Sequence, residues 1–135
     1  MQLQLDVVTP DRRVLTEPVD SVTVPGLGGE LGILPGHTPL ISQLQTGVLA
    51  YSKDGRTFLL HVSGGFVEVN DDRVSVLAEI AELPEEIDAA RARLAREHVE
   101  KTLSSWTGTE EDFERNRVKL ERSMVRLQLA SGPRS

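Results

Sequence analysis

The sequence contains no cysteine among its 135 residues, which excludes three kinds of site. A disulfide scaffold, a zinc–thiolate centre and a cysteine nucleophile all require a thiol. No apolar run approaches the roughly 18 residues that a membrane-spanning helix needs. Residues 1–6 carry neither a basic region nor an apolar stretch, so we expect no signal peptide. A chain of this kind fits a reducing compartment.

Positive charge is also scarce, because 15 basic residues stand against 21 acidic ones. The sequence pI is near 5.1, and an acidic chain repels the phosphate backbone unless its basic residues are segregated on one face. Nucleic acid is therefore not an expected partner. Hydrophobic residues make up 39% of the chain, which is too many for a disordered protein and ordinary for a globular one.

The composition changes near Pro84. Nine of the 11 glycines and six of the seven prolines lie at or before this residue, whereas alanine, arginine, glutamate and leucine dominate after it. Residues 1–84 hold 11 acidic and five basic residues, while residues 85–135 hold ten of each, so the acidic excess belongs to the first part. The contrast predicts a β domain over residues 1–84 and a helical domain over residues 85–135.

Alternation of apolar and polar residues marks the strands of the first part. Asp54-Gly55 lies between two such runs and is typical of a two-residue type I′ turn, since glycine accepts a positive φ. Asn70-Asp71-Asp72 forms a second turn cluster. We expect an antiparallel sandwich or barrel. The alternating runs cover residues 3–7, 22–24, 48–52, 57–62, 66–69 and 74–78.

Helical spacing of apolar residues dominates the second part. We expect the first helix to begin near Pro84, with acidic residues in its first turn. Residues 104–108 break the pattern, and residues 109–112 match the Ser/Thr-x-x-acid cap of a second helix. Gly132-Pro133 is typical of a helix end. Two helices joined in this way form an antiparallel hairpin, whose apolar stripe needs a surface supplied by the β domain or by a partner.

The residues that most often carry enzyme chemistry form no recognisable site. The glycine-rich residues 25–32 lack the Gly-Lys-Ser/Thr ending of a P-loop, so positive-φ turns explain them better. His37, His61 and His98 share no helical or strand spacing, and a metal site is not expected. Ser63 does not lie in a nucleophile elbow. We therefore do not expect an enzyme acting alone.

The helical hairpin holds a more specific constellation. If the break near Trp106 is the mirror point, Arg122 and Arg126 come level with Asp88 and Arg91. Three guanidinium groups beside one carboxylate suit a polyphosphate, because arginine matches phosphate oxygens bidentately. A solvated, salt-bridged face in which Asp88 neutralises one arginine is the alternative.

Two stretches resemble a known family. Residues 25–41, PGLGGELGILPGHTPLI, resemble the signature of the epsilon subunit of F-type ATP synthases, and residues 64–69 with 74–79, GGFVEV and VSVLAE, resemble its second hallmark. The likeness extends from about Leu3 to Leu129. It implies a ten-stranded β-sandwich followed by two helices, bound to the gamma subunit and the c-ring at the foot of the central stalk. It also implies a subunit without covalent chemistry or a required cofactor, peripheral to the membrane on the cytoplasmic side of the bacterial inner membrane.

The resemblance further implies where the partners bind. Glu30 matches the loop that faces the c-ring, and His37 matches a region near gamma. The hairpin of such subunits lies folded on the sandwich or extends along gamma into the alpha/beta catalytic head, where it inhibits ATP hydrolysis. Basic residues of the second helix then meet an acidic segment of beta, and here they would be drawn from Arg115, Arg117, Lys119, Arg122 and Arg126.

Some members of the family bind ATP on the folded hairpin through an Ile/Leu-Asp-x-x-Arg-Ala motif, which residues 87–92 match in full. Glu82 matches an acidic position just before it. His98 stands where those members carry a further arginine, and a neutral imidazole contributes less to phosphate binding than a permanent cation. ATP is therefore expected as a weak regulatory ligand, and a free-standing nucleotide-sensing module is the alternative function. The implied ATP-binding residues are Ile87, Asp88, Arg91, Ala92, Arg122 and Arg126.

Overall fold

The computed structural model describes residues 1–131 and divides at Leu83 into two compact units. Within these residues the first unit contains eight strands, and the second contains a 3₁₀ turn at Pro84–Glu86 followed by helices α1, Ala89–Ser104, and α2, Glu110–Ser131. The expected β-sandwich with a two-helix hairpin is confirmed. The strands are Leu3–Val8 (β1), Arg13–Val19 (β2), Ser21–Gly26 (β3), Gly29–Ile33 (β4), Leu40–Gln43 (β5), Gly47–Lys53 (β6), Arg56–Asn70 (β7) and Arg73–Glu82 (β8).

The strands are paired in the order β2-β1-β8-β7-β6-β3-β4, and β5 pairs with β7. Every pairing is antiparallel except that of β1 with β8, which is parallel. The implied count of ten strands is wrong for the described residues, which contain eight. The lower count arises because β7, with 15 residues, and β8, with 10, each continue through both halves of the sandwich.

Strand β7 changes the phase of its buried residues halfway along. Leu60 and Val62 face the core in its first half, and Val67 and Val69 face it in the second. Even-numbered residues thus give way to odd-numbered ones, which a regular strand cannot do because its side chains alternate with period two. The change occurs at Gly64 and Gly65, whose φ angles are 71° and 91°. These two glycines let one strand supply core residues from both halves.

Two tight turns shape the ends of the long strands. The predicted turn at Asp54-Gly55 is confirmed, with φ angles of 52° and 76°. Asp71 and Asp72 form a second such turn, with φ angles of 49° and 58°. Asp and Asn tolerate this left-handed region better than most residues do. The Asp72 carboxylate also accepts a hydrogen bond of 2.7 Å from the backbone N–H of Gly36 and so fixes the loop between β4 and β5.

Helices α1 and α2 pack against each other as the predicted hairpin. Their buried residues are Ala92 and Val99 on α1 and Ser123 and Leu129 on α2, a set that includes two small side chains. Helix α1 begins at Ala89, later than the predicted start near Pro84, because the prolyl segment forms a 3₁₀ turn. The predicted helix end at residues 132–133 lies outside the described residues. Neither α1 nor α2 has the length and apolar content of a membrane-crossing helix.

Candidate functional site

His61 and Ser63 inside the sandwich each have a structural partner, and the buried Nε2 of His61 has no hydrogen-bond partner among the described residues. The His61 side chain is fully buried, and its Nδ1 lies 2.7 Å from a carboxylate oxygen of Glu82. The Ser63 hydroxyl is also buried and lies 2.7 Å from the hydroxyl of Thr46. Residues 1–131 contain no group of three acidic or histidine side chains placed to hold a metal ion. Because the buried His61 and Ser63 are closed to solvent, neither can meet a substrate.

Glu30 lies on a protruding hairpin formed by β3 and β4. A two-residue tip, Leu27-Gly28, joins Gly26 to Gly29, and Glu30 is exposed beside it. The tip is held from the neighbouring segment, since the backbone N–H of Leu27 donates to the Gln43 carbonyl at 3.0 Å and the Gln45 amide donates to the Leu27 carbonyl at 2.6 Å. The carboxylate of Glu30 is therefore presented to solvent on a rigid support.

His37 lies in the loop between β4 and β5. Its backbone N–H donates to the Leu34 carbonyl at 3.1 Å, and the ring Nδ1 lies 2.6 Å from the Thr38 carbonyl oxygen. The hydrogen bond from Gly36 to Asp72 ties this loop to the turn between β7 and β8. Glu30, at the start of β4, and His37, in the loop after β4, thus lie on two separately fixed parts of the sandwich.

Sequence reasoning missed an apolar patch on the sandwich, which we call the β5–β7–β8 patch. Ile41 is 70% exposed, Phe66 49% and Leu77 54%. Phe66 pairs directly with Leu77 across β7 and β8, and it pairs with Gln43, two residues from Ile41 on β5. The three side chains therefore share the outer face of the sheet. A signal was present in the sequence, since each of these three residues has an apolar neighbour in the chain. Adjacent strand residues point to opposite faces, so the sheet is apolar on both faces at these positions.

The residues that the resemblance implies for ATP binding lie partly at the start of α1 and partly on α2. Asp88 caps α1, because its carboxylate accepts a hydrogen bond of 3.1 Å from the backbone N–H of Arg91. Helix α2 returns to contact the 3₁₀ turn, so its C-terminal half lies beside the start of α1. This half contains Arg122 and Arg126, which are both half-buried and both engaged in side-chain interactions.

The side chains of the implied motif differ in exposure. Asp88 and Arg91 are exposed, Ile87 is half-buried, and Ala92 is buried between the helices. His98 is exposed and lies seven residues after Arg91, hence on the same face of α1 two turns further along. A ligand on this face would therefore meet Asp88, Arg91 and His98, whereas Ala92 serves helix packing.

The basic residues of α2 alternate with carboxylates. Arg115 lies 2.5 Å from Asp112, and Arg117 donates to Glu114 at 2.9 Å and also to Glu121. The hydrogen bond from Arg117 holds the pKa of Glu114 below its ordinary value, and Glu114 in turn raises the pKa of Arg117. These pairs are exposed, and exposed pairs contribute little to stability. The arginines can therefore exchange these carboxylates for others at small cost.

Comparison with known proteins decides the family. The family model described as "ATP synthase, Delta/Epsilon chain, beta-sandwich domain" matches residues 2–84, and the one described as "ATP synthase, Delta/Epsilon chain, long alpha-helix domain" matches residues 85–131. The chain belongs to the ATP synthase delta/epsilon family. The resemblance to this family seen in residues 25–41, 64–69 and 74–79 is thus confirmed.

Relatives within the family cover nearly the whole chain. It is 43% identical over 129 residues to "ATP synthase epsilon chain 2" of Syntrophotalea carbinolica, covering 96% of this chain and 94% of that one. It is 47% identical over 128 residues to the "ATP synthase epsilon chain" of Halalkalibacterium halodurans, covering 95% and 96%. Both units of the fold therefore have counterparts in epsilon chains.

Two solved structures share the fold. A chain in the cryo-EM structure of the Euglena gracilis mitochondrial ATP synthase, which contains OSCP, F1 and the c-ring, aligns with a TM-score of 0.78 at 30% identity, covering 91% of this chain and 78% of that one. A chain in the central stalk and c-ring structure of the Tetrahymena thermophila enzyme aligns with a TM-score of 0.68 at 14% identity, covering 97% and 98%. The second supports the fold alone.

Proposed function

We propose that the chain is a non-catalytic rotor subunit of a proton-translocating ATP synthase, positioned on the cytoplasmic side of a bacterial inner membrane. It couples proton flow to ATP synthesis by linking the c-ring to the gamma subunit. The observation that carries this proposal is the match of both units to delta/epsilon-chain domains across residues 2–131, together with relatives named epsilon chain over nearly the whole chain.

The sandwich offers a separate surface for each rotor partner. Gamma binds the β5–β7–β8 patch, because burying Ile41, Phe66 and Leu77 removes three large apolar side chains from water. The His37 loop extends this surface at the turn between β7 and β8. The β3–β4 hairpin presents the exposed carboxylate of Glu30 to polar groups of the c-ring. Two fixed surfaces on one rigid sandwich transmit rotation from one partner to the other.

The hairpin regulates ATP hydrolysis by changing its packing partner. Leu94 and Met124 are exposed on it, so a second surface can cover apolar area that the hairpin leaves in solvent. In the extended arrangement the basic residues of α2 exchange their own carboxylates for an acidic segment of the beta subunit. Both arrangements need to lie within a few kcal/mol of each other for a ligand to shift the balance.

This function is tested by adding the chain back to an ATP synthase preparation depleted of it. We expect the full chain to suppress ATP hydrolysis, and a version ending at Leu83 to bind gamma equally well without suppressing it. The shorter version keeps the entire sandwich core. Binding of both without suppression would contradict the regulatory role of the hairpin. Failure of both to bind gamma would contradict the rotor assignment and favour a free-standing nucleotide sensor.

The hairpin also binds ATP through Asp88, Arg91, Arg122 and Arg126. We expect Arg126→Ala to weaken ATP binding about tenfold or more, since a hydrogen bond to a charged group contributes about 1.5–3 kcal/mol. His98→Arg should strengthen binding, because it adds a permanent cation to the face of α1 that carries Arg91. Calorimetric titration of the isolated chain measures both effects.

Arg115→Ala is the matched control for the ATP site, because this arginine lies at the opposite end of α2. It should leave ATP affinity unchanged. If Arg126→Ala and Arg115→Ala bound ATP with equal affinity, Arg126 would not belong to the ATP site. If His98→Arg bound ATP with wild-type affinity, the phosphates would not extend along α1 from Arg91 as far as residue 98.

A further inference from the structure

A carboxylate lies next to the apolar side chains of the β5–β7–β8 patch. Glu68 of β7 pairs with Ile41 on β5 and with Ser75 on β8. Phe66 lies two residues earlier in β7 and therefore points to the same face of the sheet. The three strands meet on this face at six positions, of which only Glu68 is charged: Ile41, Gln43, Phe66, Glu68, Ser75 and Leu77. A partner that covers the patch therefore also covers Glu68.

The Glu68 side chain has no polar partner within the described residues. It is exposed, and its carboxylate makes no hydrogen bond and no ion pair with any part of residues 1–131. Arg73 is the basic residue of the next row of the sheet, where it pairs with Asn70, and it makes no ion pair within these residues either. Asp6 of β1 pairs with Ser75 and brings a second negative charge to the row of Glu68. In the free chain the charge of Glu68 is therefore open to solvent.

An open cavity of about 320 Å³ lies beside Glu68. Its lining extends from the row of Glu68 to the turn between β7 and β8 and consists of Glu68, Ser75, Asn70, Arg73 and Asp71. Two carboxylates and one guanidinium give this lining a net negative charge. The cavity leaves room for a side chain of a partner to approach the Glu68 carboxylate, and its charge favours a basic side chain.

Binding of gamma at the patch changes the surroundings of Glu68. The proposed function places gamma over Ile41 and Phe66, and this contact excludes water from the carboxylate beside them. An ionised carboxylate that loses its solvent without gaining a partner opposes binding strongly. The nearby carboxylates of Asp6 and Asp71 make a positive charge a better partner for Glu68 than a neutral donor. An apolar contact at this patch therefore requires a cation opposite Glu68.

We infer that gamma carries a basic side chain that pairs with Glu68 within its contact with the β5–β7–β8 patch. The inference rests on the proposed function, which assigns this patch to gamma. An arginine suits the position best, because its planar guanidinium bonds a carboxylate through two parallel hydrogen bonds. The apolar residues of the patch supply contact area, and the ion pair fixes the register in which gamma binds. Partners that present an acidic or apolar group at this point are excluded.

Glu68→Gln tests the inference by the direction of its effect, since it removes the charge and keeps the size of the side chain. We expect affinity for gamma to fall about tenfold or more, because the buried cation of gamma loses its counter-charge. Glu68→Lys should weaken binding further, by about 100-fold, because two like charges then meet. Calorimetric titration of the full chain with the isolated gamma subunit measures both losses. If Glu68→Gln binds gamma as well as the unaltered chain or more tightly, no cation faces Glu68 and the inference is overturned.

Two variants serve as controls for this titration. Asp54→Asn removes the same charge from the exposed turn before β7, at the opposite end of that strand from Glu68. Asparagine tolerates the φ of 52° at this position, so binding should stay unchanged. Arg73→Gln should also leave binding unchanged. If Asp54→Asn weakens binding as much as Glu68→Gln, the loss reflects net charge alone. If Arg73→Gln does so, Glu68 is neutralised by its own chain, and either result overturns the inference.

The rates of binding separate a pair inside the contact from a charge at its edge. Glu68→Gln should accelerate dissociation from gamma and leave association nearly unchanged, as surface plasmon resonance can measure. A loss confined to the association rate would make Glu68 a peripheral steering charge and would overturn the pair. If the unaltered chain binds gamma and Phe66→Glu does not, while Glu68→Gln binds normally, only the inference fails. If the unaltered chain does not bind gamma, the rotor assignment fails and the inference fails with it.

Discussion

Gly65→Ala is expected to lower the free energy of unfolding of the sandwich by about 4 kcal/mol or more, which is at the extreme of single substitutions. An added Cβ would lie 1.9 Å from the carbonyl oxygen of Leu77 and 2.9 Å from the Cα of Ala78. Both atoms belong to the backbone of β8, so no side-chain rotation relieves the overlap. The φ of 91° adds further strain for any residue with a Cβ.

Gly64→Ala is the matched control for this effect. Its φ is 71°, and its added Cβ would meet the side chain of Glu79 at 2.7 Å, which can rotate away. We therefore expect a loss of only about 1–2 kcal/mol, mainly from the left-handed backbone. Urea denaturation followed by circular dichroism measures both variants, with Gly28→Ala as an unstrained reference. Equal losses for Gly64 and Gly65 would contradict a backbone overlap specific to Gly65.

Phe66→Glu or Ile41→Glu is expected to weaken binding to the gamma subunit about 100-fold, because a carboxylate then has to be buried in an apolar contact. Both residues lie on the β5–β7–β8 patch and are largely exposed in the free chain. Their substitution should therefore change the free energy of unfolding by no more than about 0.5 kcal/mol. Calorimetric titration with the gamma subunit measures the loss.

Leu27→Glu provides the control for the patch. Leu27 is 59% exposed at the tip of the β3–β4 hairpin, which we assign to the c-ring. It should bind the isolated gamma subunit normally. Wild-type affinity of Phe66→Glu would show that gamma binds elsewhere on the sandwich, and equal weakening by Leu27→Glu would show that the loss reflects added negative charge alone.

Local features of the fold were predictable from the sequence. Asp54-Gly55 has the residues that a type I′ turn requires, and Thr109 begins a helix cap, so short-range chemistry decides both. The start of α1 was not predictable to within a turn, because a proline tolerates the first turn of an α-helix and a 3₁₀ turn alike. The parallel pairing of Leu5 with Val74 joins residues far apart in sequence and leaves no local pattern.

The candidate sites were only partly predictable. Spacing alone places Arg122 and Arg126 level with Asp88 and Arg91, and the resemblance to the family adds the motif at residues 87–92. The cap formed by Asp88 depends on backbone geometry. The β5–β7–β8 patch depends on the register that places Phe66 opposite Leu77. Sequence alternation tells which residues of one strand share a face, but it does not tell which residues of three strands meet.

The pairing of β1 with β8 determines when the newly made chain can finish folding. Leu3, Leu5 and Val7 are core residues of the first strand, and β1 pairs with residues 73–77 of the last strand of the sandwich. The ribosome therefore has to release β8 from its exit tunnel before β1 can pair with it. Such distant pairing slows folding, because the chain loses the entropy of closing a long loop before the stabilising contacts can form. A chain interrupted before β8 leaves an apolar strand face uncovered, and we expect cellular proteases to remove it.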